Sequence, residues 1–200
     1  MAYTDFTIES VEAELGVVCR PGVVFPDLLP AIVPGWLTDM LTRGMQLALV
    51  SEKARSEFIV APLLLAVRDA TGGTVAILSG QRLDVDAARG LTGECDFILA
   101  LGPSVPPLLA PIAAIVQAKK NDVEAGLGQC IAQMVAAQDF NAPDRSNTTI
   151  HGCVTTGEAW QFLRLTGNTV QLDGRRIYLD NVAGILGAIS AIVIEAERRV

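Results

Sequence analysis

The chain contains few of the residues that define several common functional classes. Of its 200 residues only 5% are aromatic, and Lys and Arg number 15 against 22 Asp and Glu, giving a net charge of −7. Proteins that coat nucleic acid nonspecifically neutralise phosphates with clustered Lys and Arg, so this balance argues against that class. Trp36 and Trp160 have few aromatic companions, so the sequence does not indicate an RNA-binding module with a base-stacking platform.

Patterns for nucleophilic, zinc and nucleotide chemistry are also missing. His151 is the only histidine, and no Gly-x-Ser-x-Gly elbow accompanies it, which argues against nucleophilic hydrolysis. The four cysteines at 19, 95, 130 and 153 form no Cys-x-x-Cys pair and no zinc spacing, so we expect small buried thiols. The glycine-rich segments lack the phosphate-loop lysine motif, so nothing predicts a nucleotide site.

No hydrophobic run is long enough to predict a helix that crosses a membrane. The longest mostly apolar runs, 58–67 and 185–194, are shorter than the roughly 18 to 20 residues that a spanning helix requires. The N-terminus is acidic and has neither the basic nor the apolar region of a signal peptide. We therefore expect a cytoplasmic protein with no membrane partner.

The first third of the chain predicts helices separated by an irregular segment. Helical spacing of apolar residues predicts helices over 7–15, over 35–47 and from Ser51 onward, with Ser51 as an N-cap. Four prolines between residues 21 and 34 predict an irregular connection. Pro62 is expected to kink the third helix or to end its first part.

The rest of the chain predicts strands and two further helices. Strands are predicted over 74–79, 91–101, 112–119, 151–156, 160–165 and 175–179. A helix is predicted after Asn121 or Asp122, a last helix runs from Asp180 to about 197, and 102–107 is predicted as a loop. The order helix, three strands, helix, strand predicts an α/β fold with helices packed against a mixed sheet.

Half of the residues are apolar, which is ample for one hydrophobic core, so we expect residues 1–200 to form a single domain. Within it, 1–50 is a helical and proline-rich extension, 51–156 is the core, and 157–200 is a C-terminal hairpin and helix.

Two of the predicted buried strands carry polar side chains. Asp96 lies in one strand, and Gln117 and Lys119 lie in the next. A buried charge costs several kcal/mol unless it is paired, solvated in a cleft or bound to a metal. Side chains alternate along a strand, so Gln117 and Lys119 point the same way. If the two strands are neighbours, Asp96 can lie beside this pair and Glu57 can approach from the third helix.

This arrangement resembles the PD-(D/E)XK nuclease superfamily, with Glu57 in a helix, Asp96 in the second strand and Gln117-Ala118-Lys119 in the third. The resemblance covers roughly residues 51–156. It implies a restriction-endonuclease-like core with the element order α-β-β-β-α-β, extra N-terminal helices and extra C-terminal strands and helix. Gln117 departs from the commonest pattern, which has Asp or Glu there, and the Gln-x-Lys motif is similar to that of the Mrr-type branch.

The resemblance implies a metal-dependent endo- or exonuclease that hydrolyses DNA phosphodiester bonds. Its implied catalytic residues are two acids, one amide and one amine: Glu57, Asp96, Gln117 and Lys119. The first three would hold Mg²⁺ or Mn²⁺, and the lysine would act beside the attacking water. The expected substrate contacts are Lys120 and two side chains of the following helix, Gln129 and Gln133.

The same residues also have purely structural interpretations. Glu57 can pair with Lys53, four residues earlier on a helix, and Asp96 can be satisfied by local backbone N–H groups. Lys119 and Lys120 can simply end a strand at the surface. The alternative function is therefore a catalytically inactive binding or assembly module with the same fold, which the acidic charge favours. The apolar composition also permits a homodimer.

Overall fold

The computed structural model describes residues 1–48, 50–102, 111–142 and 148–199. It contains one seven-stranded mixed sheet with helices on both faces, which confirms the predicted α/β class. The predicted loop over 102–107 lies almost wholly outside the described residues.

The elements follow the predicted order with two additions, a first strand and a break in the third helix. The strands are β1 (Val18–Gly22), β2 (Val75–Arg82), β3 (Glu94–Leu101), β4 (Ile112–Ala118), β5 (Thr149–Thr155), β6 (Ala159–Thr166) and β7 (Thr169–Tyr178). The helices are α1 (Ile8–Leu15), α2 (Gly35–Ala48), α3 (Glu52–Arg55), α4 (Ala61–Ala70), α5 (Leu127–Asn141) and α6 (Val182–Glu197).

The strands lie in the spatial order β1-β7-β6-β5-β4-β3-β2. The three consecutive strands β2, β3 and β4 form an antiparallel meander, as predicted. The chain then crosses through α5 and returns in β5, which pairs with β4 in parallel. The last three strands form a second antiparallel meander, β5 with β6 and β6 with β7.

The additional strand β1 overlaps the start of the segment that the prolines mark as irregular. Its residues pair in parallel with β7, from Val18 opposite Thr169 to Gly22 opposite Asp173. Pro21 is tolerated because β1 is the edge strand of the sheet, where one side of the backbone needs no ladder hydrogen bonds. The N-terminal extension therefore belongs to the same sheet as the core strands.

The third predicted helix begins as expected but is not continuous. Ser51 is the N-cap, and its hydroxyl oxygen accepts a hydrogen bond from the Ala54 N–H at 3.1 Å. After α3 the backbone makes one π-helical turn over Ser56–Val60, and α4 then begins just before Pro62. A π turn inserts one extra residue, so the side chains before it are rotated relative to those after it.

Helix α5 is buried on all sides, although its sequence predicts one apolar face. It packs on β4 and β5 with one side, while α1 and the turn Tyr3–Asp5 cover the other. At Gly128 a Cβ atom would lie 2.3 Å from the Phe6 carbonyl oxygen, so only glycine permits this close approach. The N-terminal extension therefore encloses the glutamines of α5 in the core.

Helix α6 begins after Asn181, whose side chain accepts the Gly184 N–H at 3.0 Å. Together with the preceding turn it forms the one helix in the described part of the chain that is long and apolar enough to cross a membrane, over Leu179–Glu197. This criterion rests on length and composition, and a core helix also meets it. Helix α6 packs against α4 and the sheet. The expected cytoplasmic location stays a prediction.

Candidate functional site

Asp96 and Gln117 meet at one end of the antiparallel pair β3 and β4, one residue beyond the ladder pair Phe97 and Val116. The Ala118 N–H donates to a carboxylate oxygen of Asp96 at 2.7 Å. The Gln117 Nε2 donates to the same oxygen and also to the Ala118 carbonyl oxygen at 3.2 Å. The strands thus bring together two polar side chains that are distant in sequence.

Lys119 follows β4 directly and is held on the side of α5. Its backbone N–H donates to the Thr155 carbonyl oxygen at 2.8 Å, and its Nζ donates to the Gln129 Oε1 at 2.8 Å. Its aliphatic stem packs over Gly126, where a Cβ atom would lie 3.0 Å from the Lys119 Cγ. The half-buried Lys119 is therefore held by its backbone hydrogen bond, by packing of its stem against Gly126, and by the amide oxygen of Gln129.

The surroundings of Asp96 are unfavourable to its negative charge. Burial raises the pKa of Asp96 above its ordinary value, and the charges of Glu52 and Glu94 raise it further. The Ala118 N–H and the Lys119 ammonium oppose this by lowering the pKa. Burial and two like charges thus disfavour the charged form of Asp96, and a bound cation would favour it.

Asp96 lines an open cleft between the α3–α4 helices and strands β2 and β3. The cleft has a volume of about 590 Å³, and its lining includes Glu52, Ser56, Ser79 and Glu94. That volume lies in the usual range for ligand-binding clefts. Neither Gln117 nor Lys119 is among the cleft-lining residues, so both lie behind Asp96 in the described structure.

The acidic residue expected from the helix is Glu57, and the structure places it at the outer edge of this cleft. Its side chain is 55% exposed, and its Oε1 lies 3.9 Å from the Lys53 Nζ. This is the ion pair between residues four apart on a helix that gives Glu57 a structural interpretation. Glu52, one turn earlier, is the helix acid whose charge raises the pKa of Asp96. Sequence reasoning missed Glu52 because an acid after an N-cap has an ordinary explanation in the helix dipole.

The two glutamines of α5 have internal partners. Gln133 is fully buried, and its Nε2 donates to the Glu94 carbonyl oxygen at 3.2 Å, so its position does not support a contact with substrate. Gln129 is 7% exposed and accepts from Lys119. Lys120 is exposed and is the one of the three expected substrate contacts that a ligand can reach freely.

Two amide oxygens of this region are buried without a hydrogen-bond partner in the described part of the chain: Gln117 Oε1 and Gln133 Oε1. A buried oxygen without a partner costs about 1 to 3 kcal/mol, so such atoms call for an explanation. Gln117 is 1% exposed and adjoins Asp96, so a cation beside the carboxylate would find a further oxygen donor there.

The donor set suits a hard cation only in part. Within the described ranges, no group of three or more His, Cys, Asp or Glu side chains is arranged to hold a metal ion. The oxygens near Asp96 are of the type that Mg²⁺ prefers, and Mg²⁺ usually keeps several waters in protein sites. The residues therefore fit Mg²⁺ or Mn²⁺ if water or substrate oxygens complete the coordination.

No protein-family model matches the chain, and no curated protein sequence matches it significantly. Sequence comparison thus adds nothing to the resemblance to the PD-(D/E)XK superfamily. The function has to be argued from the topology of the sheet and the geometry of the cleft.

Proposed function

We propose that the protein is a metal-dependent nuclease that hydrolyses DNA phosphodiester bonds at the Asp96 cleft. The observation that carries the proposal is the meeting of Asp96 with Gln117 and Ala118 at the ends of β3 and β4, with Lys119 directly beyond. A carboxylate with an amide and an ammonium close by can bind a divalent cation and stabilise the negative charge that develops in phosphodiester hydrolysis.

The topology supports the same proposal. A helical segment precedes the antiparallel meander β2, β3 and β4, and α5 leads to β5 parallel to β4. The resemblance implies this same order, α-β-β-β-α-β, for a restriction-endonuclease-like core, and β6 and β7 extend the sheet beyond β5. The extra strand β1 and helix α6 lie outside that core.

Each residue then has a chemical task. Asp96 and Glu52 supply carboxylate oxygens for a divalent cation, and Gln117 supplies an amide oxygen. When bound, such a cation lowers the pKa of the attacking water and offsets charge on the phosphoryl oxygens. Lys119, oriented by Gln129, stabilises the charge that develops on the phosphate or orients the water.

One observation favours the second candidate, an inactive binding or assembly module. The Gln117 amide donates to the Asp96 carboxylate, so it satisfies an oxygen that a metal would otherwise use. An active site requires this amide to turn its oxygen toward the cation when metal and substrate arrive.

Cleavage assays distinguish the two candidates. The purified full chain is incubated with linear, supercoiled and single-stranded DNA in Mg²⁺, in Mn²⁺ and in EDTA, beside the Asp96→Asn variant. The nuclease proposal expects cleavage by the wild type with either metal, none in EDTA and none by the variant. Equal inactivity of both proteins with every substrate and metal would favour the module.

The Gln117→Glu variant tests the metal site without relying on cleavage. It places a second carboxylate beside Asp96, so we expect a lower melting temperature in EDTA than for the wild type. Mg²⁺ should restore stability more in the variant than in the wild type, because binding to the folded state alone stabilises it. An equal response of both proteins to Mg²⁺ would argue against a cation at this position.

A further inference from the structure

A second groove adjoins the Asp96 cleft. It lies between α2 and α4, has a volume of about 540 Å³, and is lined by the apolar side chains of Trp36, Met40 and Leu65. Glu57 and Ala61 line both this groove and the cleft, so the two depressions share a wall. A ligand that extended from Asp96 across Ala61 would reach the indole ring of Trp36. We call the depression the Trp36 groove.

The two tryptophans of the chain have opposite environments. Trp160 is fully buried, and its indole N–H donates to the Gly157 carbonyl oxygen at 3.1 Å. Trp36 is 41% exposed although it is the largest apolar side chain of its surface. The sequence alone does not distinguish the two tryptophans. Only the fold shows that Trp36 lies beside the cleft.

The charges along both depressions limit what kind of ligand can bind there. The acidic side chains that line them are Asp39, Glu52, Glu57, Glu94 and Asp96, and the basic ones are Arg43 and Lys53. Acids outnumber bases in this lining, so charge alone attracts the phosphate backbone of neither a duplex nor a single strand. Stacking of a base on an aromatic ring, by contrast, contributes about 1 to 3 kcal/mol per base without any charge.

We propose that the Trp36 groove binds an unpaired nucleobase of a single-stranded nucleic acid whose backbone passes through the Asp96 cleft. The identity of the ligand as a nucleic acid rests on the proposed function. The base stacks on the Trp36 indole, and Arg43 at the same groove contacts an adjacent phosphate. In a duplex the bases are stacked on one another and cannot reach the indole, so the groove selects single strands.

Tryptophan fluorescence tests this directly, because only Trp36 is exposed. A short single-stranded oligothymidylate is titrated with Mg²⁺ present into the full-length Lys119→Met variant, in which turnover is expected to be about 10² to 10³-fold slower. We expect quenching of the emission by the single strand and none by a blunt duplex of the same length. Trp36→Leu should lose the quenching and weaken binding, measured by anisotropy of a labelled oligonucleotide, about tenfold.

Two variants control for indirect effects. Trp36→Phe keeps an aromatic face and should recover most of the affinity that Trp36→Leu loses. Leu47→Ala removes another exposed apolar side chain of α2, 53% exposed and outside the groove, and should leave affinity unchanged. Melting temperatures of all variants should match the wild type, because both side chains are exposed.

The results separate this inference from the proposed function. Unchanged single-strand affinity in Trp36→Leu overturns the inference, even if the wild type cleaves DNA. Single-strand quenching without any cleavage by the wild type supports the inference and argues against the nuclease. Emission that changes with protein concentration alone, together with a dimer that Trp36→Leu dissociates, would assign the groove to a second copy of the chain and overturn the inference.

Discussion

The sheet carries two clusters of buried or half-buried polar side chains, one at each end of β4. The site cluster is Asp96, Gln117, Lys119 and Gln129, where β4 ends. The histidine cluster is His151, Arg164, Glu195 and Arg199. His151 pairs with Ala114 near the start of β4, so the two clusters lie at opposite ends of the same strands.

The charged side chains of the histidine cluster pair with one another. Glu195 accepts hydrogen bonds from Arg164 at 2.7 Å and from Arg199, and its other oxygen lies 3.5 Å from the His151 Nε2. His151 is 3% exposed and stacks against Phe25 with ring centroids 6.3 Å apart. Burial, with Arg164 and Arg199, lowers the pKa of His151 to about 3, so the ring is neutral at physiological pH.

In the site cluster the structure describes no ion pair to Asp96. Asp96 has Glu52 and Glu94 as like-charged neighbours and Lys119 as its opposing charge, and it opens onto a cleft. The comparison teaches that a buried polar group does not by itself indicate function. An uncompensated charge that a ligand can reach is the better indication.

The largest expected effect is on the rate of cleavage, when Lys119 of the site cluster is replaced. Replacing it with Met keeps the stem over Gly126 but removes the charge, so we expect cleavage to slow by about 10² to 10³-fold. The measurement is kcat on single-stranded DNA in Mg²⁺. Lys120→Met, the exposed neighbour, should retain most of kcat, and an equal loss in both variants would contradict a specific role for Lys119.

The next largest effect tests how Lys119 is held. In Gly126→Ala the new Cβ would lie 2.6 Å from the Val154 Cγ1 and 3.0 Å from the Lys119 Cγ, so one of them must move. We expect a loss of about 1 to 3 kcal/mol in the free energy of unfolding and about tenfold slower cleavage. Gly35→Ala is the matched control, because a Cβ there meets no atom within 4 Å. Unchanged cleavage by Gly126→Ala would mean that packing against Gly126 does not position Lys119.

The histidine cluster should affect stability and leave activity unchanged. Because the pKa of His151 is about 3 in the folded chain and near 6.5 when unfolded, the unfolded state binds more protons between these values. Stability therefore rises with pH across this window, by up to about 1.4 kcal/mol per pH unit, and levels off above it. In His151→Phe this pH-dependent contribution should vanish. Urea titrations at several pH values between 4 and 7 measure it, as the change in the free energy of unfolding with pH. Loss of cleavage in this variant would overturn the comparison.

The smallest of these expected changes in the free energy of unfolding is a gain at the site. Asp96→Asn removes a charge that burial and two neighbouring acids disfavour, while its amide oxygen can still accept the Ala118 N–H. We expect a free energy of unfolding higher by about 1 kcal/mol, with cleavage lost. Glu57→Gln, at an exposed carboxylate, should change stability by less than about 0.5 kcal/mol. A less stable Asp96→Asn variant would show that the carboxylate stabilises the fold.

Much of the fold could be predicted because its signals are local. The N-cap at Ser51, the meander and the helix before β5 follow from apolar periodicity, capping residues and turn residues within short windows. The strand β1 could not be predicted, since its pairing partner β7 lies about 150 residues away and Pro21 argues locally against a strand.

For the candidate site, the sequence by itself singled out Asp96, Gln117 and Lys119, because polar side chains inside apolar strands are visible without a structure. Only the tertiary structure decided their surroundings. In the folded chain Glu52 lies within electrostatic reach of Asp96, and Gln133 is buried with its amide donating to the Glu94 carbonyl oxygen. The tertiary structure also places Trp36 beside the cleft. Local patterns specify which elements form, but the rotation of a helix and the contacts between distant segments determine which side chains meet.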